Sequence, residues 1–143
     1  MTQSTDVIRS RPLFVLQASL ADPVMMADTP RGERKIVAVT GGTVRGERVN
    51  GRLVDVGGHD WALIRPDGTL ELDVRVLLHT DDDAHVLISY RGFRRQRDDG
   101  LYFRTSLTFE TGDSRYAWLN SIIAIGVGTR PPEGPRYDVH EIL

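Results

Sequence analysis

Three short stretches of this chain hold residue types suited to proton transfer. In Leu70-Glu-Leu-Asp-Val-Arg-Val-Leu-Leu78 the residues alternate, so Asp73 and Arg75 share one face of a strand with Glu71 and Leu77, and Leu70, Leu72, Val74, Val76 and Leu78 take the other face. Desolvation would lift the Asp73 carboxyl toward the range of a general base, and Arg75 would hold or polarise an anionic oxygen of a substrate. Tyr102 and Arg104 likewise share one face of a strand, where a phenol and a guanidinium can converge on one cavity. Asp60-Trp61 follows the pair Gly57-Gly58, a turn from which a carboxylate and an aromatic wall could face a barrel mouth. Asp73, Arg75 and Tyr102 are therefore the candidate catalytic residues, and Asp60, Trp61, Arg104, Trp118 and Asn120 the candidate substrate contacts.

Each has a plainer reading. Asp73 and Arg75 are ordinary solvated charges if their face points outward, and an inward pair must find partners, because unpaired buried charge is costly. Alternation leaves the choice open, since a one-residue slip in register exchanges the faces. Trp61 could be a core residue and Asp60 a turn residue. Tyr116, Trp118 and Asn120 surround a short helix that either plugs the barrel, with Asn120 ending the helix, or lies over it as a lid.

The elements that must position these groups are short strands. Pro12 to Leu20 and Lys35 to Thr40 read as the first two, with a loop over Ala21 to Glu33 and with Gly41-Gly42 marking either a bulge or room for a ligand beside bare backbone. Turn signals then recur at Gly57-Gly58, Pro66-Asp-Gly68, Thr80 to Asp83 and Arg94 to Gly100, the pattern of a sandwich or barrel. Pro66-Asp67-Gly68 is a hairpin with a mechanism, proline fixing φ at the first corner and glycine supplying positive φ. The one helix expected is short, near 113–120, capped by Asp113 or Ser114. Pro131 to Pro135 is a stiff turn before the last strand. The fold expected is all-β: a single antiparallel barrel of about 8–10 strands spanning 12–143, a lipocalin-like cup, after a flexible N-terminus at 1–11.

Several chemistries are excluded or unsupported. The 143 residues include no cysteine, so thiolate nucleophiles, thiolate metal sites and disulfides are impossible. No Gly-x-Ser-x-Gly elbow and no nucleotide fingerprint occurs, so no cofactor is expected. His59, His79, His85 and His140 lack metal-ligand spacing, and Asp81-Asp82-Asp83 lacks the remaining ligands of a calcium loop, so no metal is expected. The net charge is -2 and the arginines are dispersed, which argues against nucleic acid as a partner. Without a long apolar segment no membrane association is expected, and the chain reads as cytoplasmic.

Gly68-Thr-Leu-Glu-Leu-Asp-Val-Arg75, Tyr102-Phe-Arg-Thr105, Phe109-Glu-Thr-Gly112 and Tyr116-Ala-Trp-Leu-Asn120 together resemble the family called domain of unknown function 3237. Gly41-Gly42-Thr43, Asp60-Trp61, Gly126-Val-Gly128 and Tyr137-Asp-Val139 add to the likeness, which runs from about Pro12 to the C-terminus. The resemblance implies a compact β-barrel and an association with small-molecule metabolism, in which some members look like cofactor-free cyclases or isomerases. It supplies no catalytic set.

An eight-stranded barrel can either fill itself with side chains or hold one small ligand. The first expectation is a cofactor-independent acid-base enzyme, an isomerase, cyclase or lyase, acting on a small oxygenated, aromatic or polyketide-like molecule. The alternative is a non-catalytic small-molecule binding protein of lipocalin type, and a scaffold with a filled barrel is a third. A barrel apolar outside and polar inside would also invite a homodimer.

Overall fold

A computed structural model of the chain describes residues 6–143. Nine strands and one short helix follow in order: β1 (Ser10–Leu20), β2 (Val24–Thr29), β3 (Gly32–Arg45), β4 (Gly51–Ile64), β5 (Leu70–Thr80), β6 (His85–Arg97), β7 (Gly100–Glu110), a 3₁₀ helix (Ser114–Ser121), β8 (Ala124–Thr129) and β9 (Arg136–Ile142). All pairings are antiparallel. The order β1-β9-β8-β7-β6-β5-β4-β3 closes through a direct β1–β3 ladder into an eight-stranded barrel, and β2 adds a ribbon to the start of β3. Among the described residues no helix is long and apolar enough to cross a membrane.

Closure decides which face is inside. Leu70, Leu72, Val74, Val76 and Leu78 of β5 are buried in the barrel together with Val86, Ile88 and Tyr90 of β6 and Phe103, Leu107 and Phe109 of β7. The opposite face of β5, carrying Glu71, Asp73 and Arg75, is the outer wall. The inward reading of Asp73 and Arg75 is therefore corrected: burying the aliphatic face and leaving the charges in water avoids the desolvation cost of unpaired ions.

The strands are longer than the turn signals suggest. Gly41-Gly42 does not end β3; the chain runs on through it, and a Cβ at Gly42 would lie 2.2 Å from the backbone oxygen of Gln17. The close approach that this glycine permits is to β1 at the barrel seam, in place of a ligand. Gly57-Gly58 is likewise not a turn but an outward bulge within β4, between the paired residues Val54 and His59. The polar run Arg94 to Gly100 continues the β6–β7 ladder to Arg97 and Gly100 instead of forming a wide loop. The segment 21–33 holds β2 in place of an irregular loop.

The two ends of the barrel differ. At the end where β5 finishes, the 3₁₀ helix packs buried Tyr116 and Leu119 against the core. Asp113 caps the helix through the Arg115 N–H at 2.9 Å, and the Tyr116 hydroxyl donates to Asp82 at 2.7 Å. At the other end the barrel stays open beneath the β8–β9 turn. That turn is held to β1 by the Gln17 side-chain amide, which donates to Gly134 O at 2.9 Å, and by the Ala18 N–H, which donates to Pro135 O at 3.0 Å.

Candidate active site

The open end leads into a cavity of about 460 Å³ inside the barrel. Its size suits one small molecule. Leu70, Leu72, Val37 and Phe103 form its apolar wall, and Asp60, Lys35, Arg94 and Tyr137 supply its polar groups, with Arg130 at the rim.

Each polar group arrives by the same rule, two-residue alternation that carries a polar side chain onto an otherwise apolar inner face. Lys35 is in phase with buried Val37 and Val39, and Arg94 with Ile88 and Tyr90. Asp60 stands opposite Val37 on one side and Val74 on the other, both buried. Tyr137 is in phase with buried Val139.

Asp60 Oδ1 accepts the backbone N–H of Asp73 at 3.0 Å, beside the stretch where Trp61 and Ala62 make no ladder pair with β5. The contribution of Asp73 to the cavity is thus its amide and not its carboxylate. Burial pushes the Asp60 carboxyl up to about 6, against the Asp73 N–H, Lys35 and Arg94, which favour its ionised form. Burial, followed by repulsion from Arg94 and Arg130, holds Lys35 below its ordinary value. Arg94 is lowered by burial first and by Arg130 second.

Behind Asp60 lies a tyrosine pair. Tyr90 and Tyr137 are both nearly inaccessible, their rings are 5.1 Å apart at 63°, and their hydroxyls are hydrogen-bonded to each other. Burial raises both phenols, so both stay protonated and can donate. Phe103 packs edge-on against Tyr137 at 5.3 Å and fixes the ring.

Among the residues singled out from sequence, Asp60 alone reaches this cavity. It lies within β4 and not at a turn. Trp61, its neighbour, points outward by the same alternation, is 51% exposed and stacks on His59 at 5.6 Å, so it is neither core nor cavity wall. Asp73, Trp61, Tyr102 and Arg104 do meet, but in a groove of about 690 Å³ on the outer wall. There Asp73 pairs with Arg91 at 3.3 Å, Glu71 pairs with Arg65, and Arg104 lies over the Tyr102 ring at 5.3 Å. Arg75 is exposed farther along the same wall. Trp118 and Asn120 belong to the helix at the closed end. Arg48 covers the Trp118 ring at 4.5 Å, while Asn120 exchanges two hydrogen bonds with the Thr111 backbone at 2.7 and 3.0 Å. They brace the plug, far from the open mouth.

The groove is the larger space, yet the interior cavity is the better candidate for chemistry. Its carboxyl is desolvated and poised near neutrality, whereas the acids of the groove sit in solvent with arginine partners. Sequence reasoning missed Lys35, Arg94, Tyr90, Tyr137 and Arg130. The signal for the first four was a polar residue in phase with a buried aliphatic face. Among the described residues no group of three or more histidines or carboxylates is placed to hold a metal.

This geometry sits in a fold with known relatives. The UPF0311 protein of Rhodopseudomonas palustris is 30% identical over 153 aligned positions, covering 97% of this chain and 99% of the relative. The fungal "Hydroalkoxylation enzyme phnH" of Penicillium herquei is 26% identical over 115 positions, covering 79% of this chain and 70% of that enzyme. A crystal structure of a β-barrel-like protein from Acinetobacter baumannii superposes with a TM-score of 0.91 at 27% identity, covering 99% of this chain and 100% of that one. An enzyme from Penicillium herquei superposes at 0.83 with 20% identity over the full length of both chains, a likeness of fold. The family model described as "Protein of unknown function (DUF3237)" matches residues 8–142, and the chain belongs to that family.

Proposed function

We propose that this protein is a cofactor-independent acid-base enzyme, an isomerase, cyclase or lyase, acting on a small oxygenated molecule held inside the barrel. The observation that carries the proposal is Asp60: a desolvated carboxyl, poised at about 6, on the wall of a cavity that also presents cations and a phenol. Near neutral pH such a group exists in both protonation states, so it can take a proton from one atom of a substrate and return it to another. Tyr137, with Tyr90 behind it, donates a hydrogen bond to oxygen on which negative charge develops, and Lys35 and Arg94 stabilise that charge electrostatically. Asp60 replaces Asp73 as the base, and Tyr137, Lys35 and Arg94 replace Tyr102 and Arg75 as stabilisers.

The fungal relative named for hydroalkoxylation supports a reaction of this type. Addition of an O–H across a carbon–carbon double bond changes no oxidation state and, within one molecule, is an isomerisation. The hydroxyl loses its proton to a base as the C–O bond forms, and the neighbouring carbon gains a proton as the double bond is consumed. A carboxyl able to accept and then donate is sufficient for the transfer.

The test is incubation with phenols that carry an ortho alkene or enone side chain, with chromatography for the ring-closed product of unchanged mass. Wild-type protein should form product, and Asp60→Asn should lower the rate by about 10² or more, the range of general acid-base catalysis. Tight binding without turnover across the panel would instead favour the binding-protein reading.

A further inference from the structure

We infer that the cavity recognises its ligand as an anion: an aromatic or conjugated molecule bearing an ionised oxygen, a phenolate or a carboxylate, seated with that oxygen toward Arg94, Lys35 and Arg130. The inference rests on the same cavity as the enzymatic proposal and names its substrate class; the ionised oxygen is a second one, distinct from the hydroxyl that loses its proton to Asp60.

The argument is one of charge balance. Three cations converge on the mouth, Lys35 from β3, Arg94 from β6 and Arg130 from the β8–β9 turn. Among the described residues none of the three is in an ion pair, although eight ion pairs occur elsewhere in the molecule. Asp60 is the acid that faces them across the cavity, one carboxyl against three positive groups. Lys35 and Arg94 are drawn together although each repels the other and each loses water on the inner wall. Such an arrangement is held by the fold at a cost, and a bound anion removes that cost.

The shape of the wall limits the rest of the ligand. Leu70, Leu72 and Phe103 offer an apolar surface in the same cavity, with Arg94 over the Phe103 ring at 5.9 Å, suited to a ring or a conjugated chain. Pro131, Pro132 and Pro135 close the rim with stiff backbone, and a Cβ at Gly134 would strike the Ala18 carbonyl at 2.1 Å, so this edge is firmly seated. One delocalised oxyanion on a flat apolar body matches both the charge and the volume.

The experiment compares pairs of equal shape and unequal charge: 4-nitrophenol at a pH above its own pKa against 4-nitroanisole, and 2-naphthoate against its methyl ester. Calorimetry on the full chain should give about tenfold or greater preference for each anion, the worth of one hydrogen bond to a charged group. Arg94→Met should remove that preference while leaving the neutral analogues unchanged. Lys35→Met should reduce it, Arg94→Lys should restore part of it, and Arg91→Met on the outer wall should do nothing. A second readout is the 4-nitrophenolate absorbance just below the free phenol's pKa, which should rise on adding wild-type protein and not on adding Arg94→Met. Equal binding of anion and neutral analogue, or equal loss of both in the two inner-wall variants, overturns the inference. The enzymatic proposal fails separately. If anions bind selectively to wild type and to Asp60→Asn alike and nothing is turned over, recognition stands and catalysis falls. If neutral substrates are turned over in a manner that depends on Asp60, catalysis stands and the anion inference falls.

Discussion

The interior cavity and the outer-wall groove are built from the two faces of the same strands, and both hold aromatic rings, arginines and an acid. In the groove, Asp73 is paired with Arg91, with side-chain exposures of 46% and 77%, and Trp61 and Phe93 are half in solvent. In the cavity, Asp60 is one residue from Trp61 in sequence but faces Leu72, Phe103 and Tyr137. Water screens the first set, whereas the inner wall partly desolvates the second, so similar residue types become solvated surface on one side and perturbed, interacting groups on the other. Composition alone does not separate them; the side of the wall does.

The largest expected contrast is in packing. Phe103→Ala should cost about 3–5 kcal/mol in chemical denaturation, because it opens a void in a closed barrel, whereas Phe93→Ala should cost under about 1 kcal/mol. Comparable losses would mean that the groove is buried in solution.

Next comes chemistry. Asp60→Asn should lower turnover by about 10², or about 2.7 kcal/mol in barrier, while Asp73→Asn should stay within about twofold of wild type. The reverse ranking would move the active site to the outer wall.

A third contrast lies in pH. The folded-state pKa of Asp60 is raised, so the folded protein holds this proton more tightly than the unfolded chain does. The resulting stabilisation is fully present below the carboxyl's unfolded value of 3.8 and is lost as pH rises through about 6. Wild type should therefore lose about 2–3 kcal/mol relative to Asp60→Asn across that window, measured by urea titrations at several pH values. A flat difference curve for Asp60→Asn would show that the carboxyl is solvated.

The smallest effect belongs to the outer ion pair. Arg91→Ala should change stability by no more than about 0.5 kcal/mol, and salt should erase the difference.

Much of the frame was legible in the sequence. The Pro66-Asp67-Gly68 hairpin, the clean alternation of β5 and the short helix after Asp113 all rest on local chemistry, and each stands where it was expected. The strand ends were less legible. Gly41-Gly42 and Gly57-Gly58 read as stops because glycine weakens an isolated strand, yet the first pair is carried on by its ladder to β1, and β4 resumes pairing at His59 after the bulge that holds the second. The candidate site was legible only at Asp60. Lys35, Tyr90, Arg94 and Tyr137 are spread over about 100 positions on three strands, and no local pattern links them.

By itself, the sequence determined that this chain forms a cysteine-free, all-β domain whose strands each have one apolar and one polar face. Alternation and turn chemistry act over a few residues and need no knowledge of the whole. Which face became the interior, and which acid was desolvated, was decided by tertiary structure alone. Sealing β1 against β3 turned the aliphatic face of β5 inward, carried Asp60 in with it and left Asp73 in water. That choice depends on the register of eight strands at once, because a single polar residue is tolerated inside only when the remaining wall is apolar and a neighbouring backbone N–H is free to meet it.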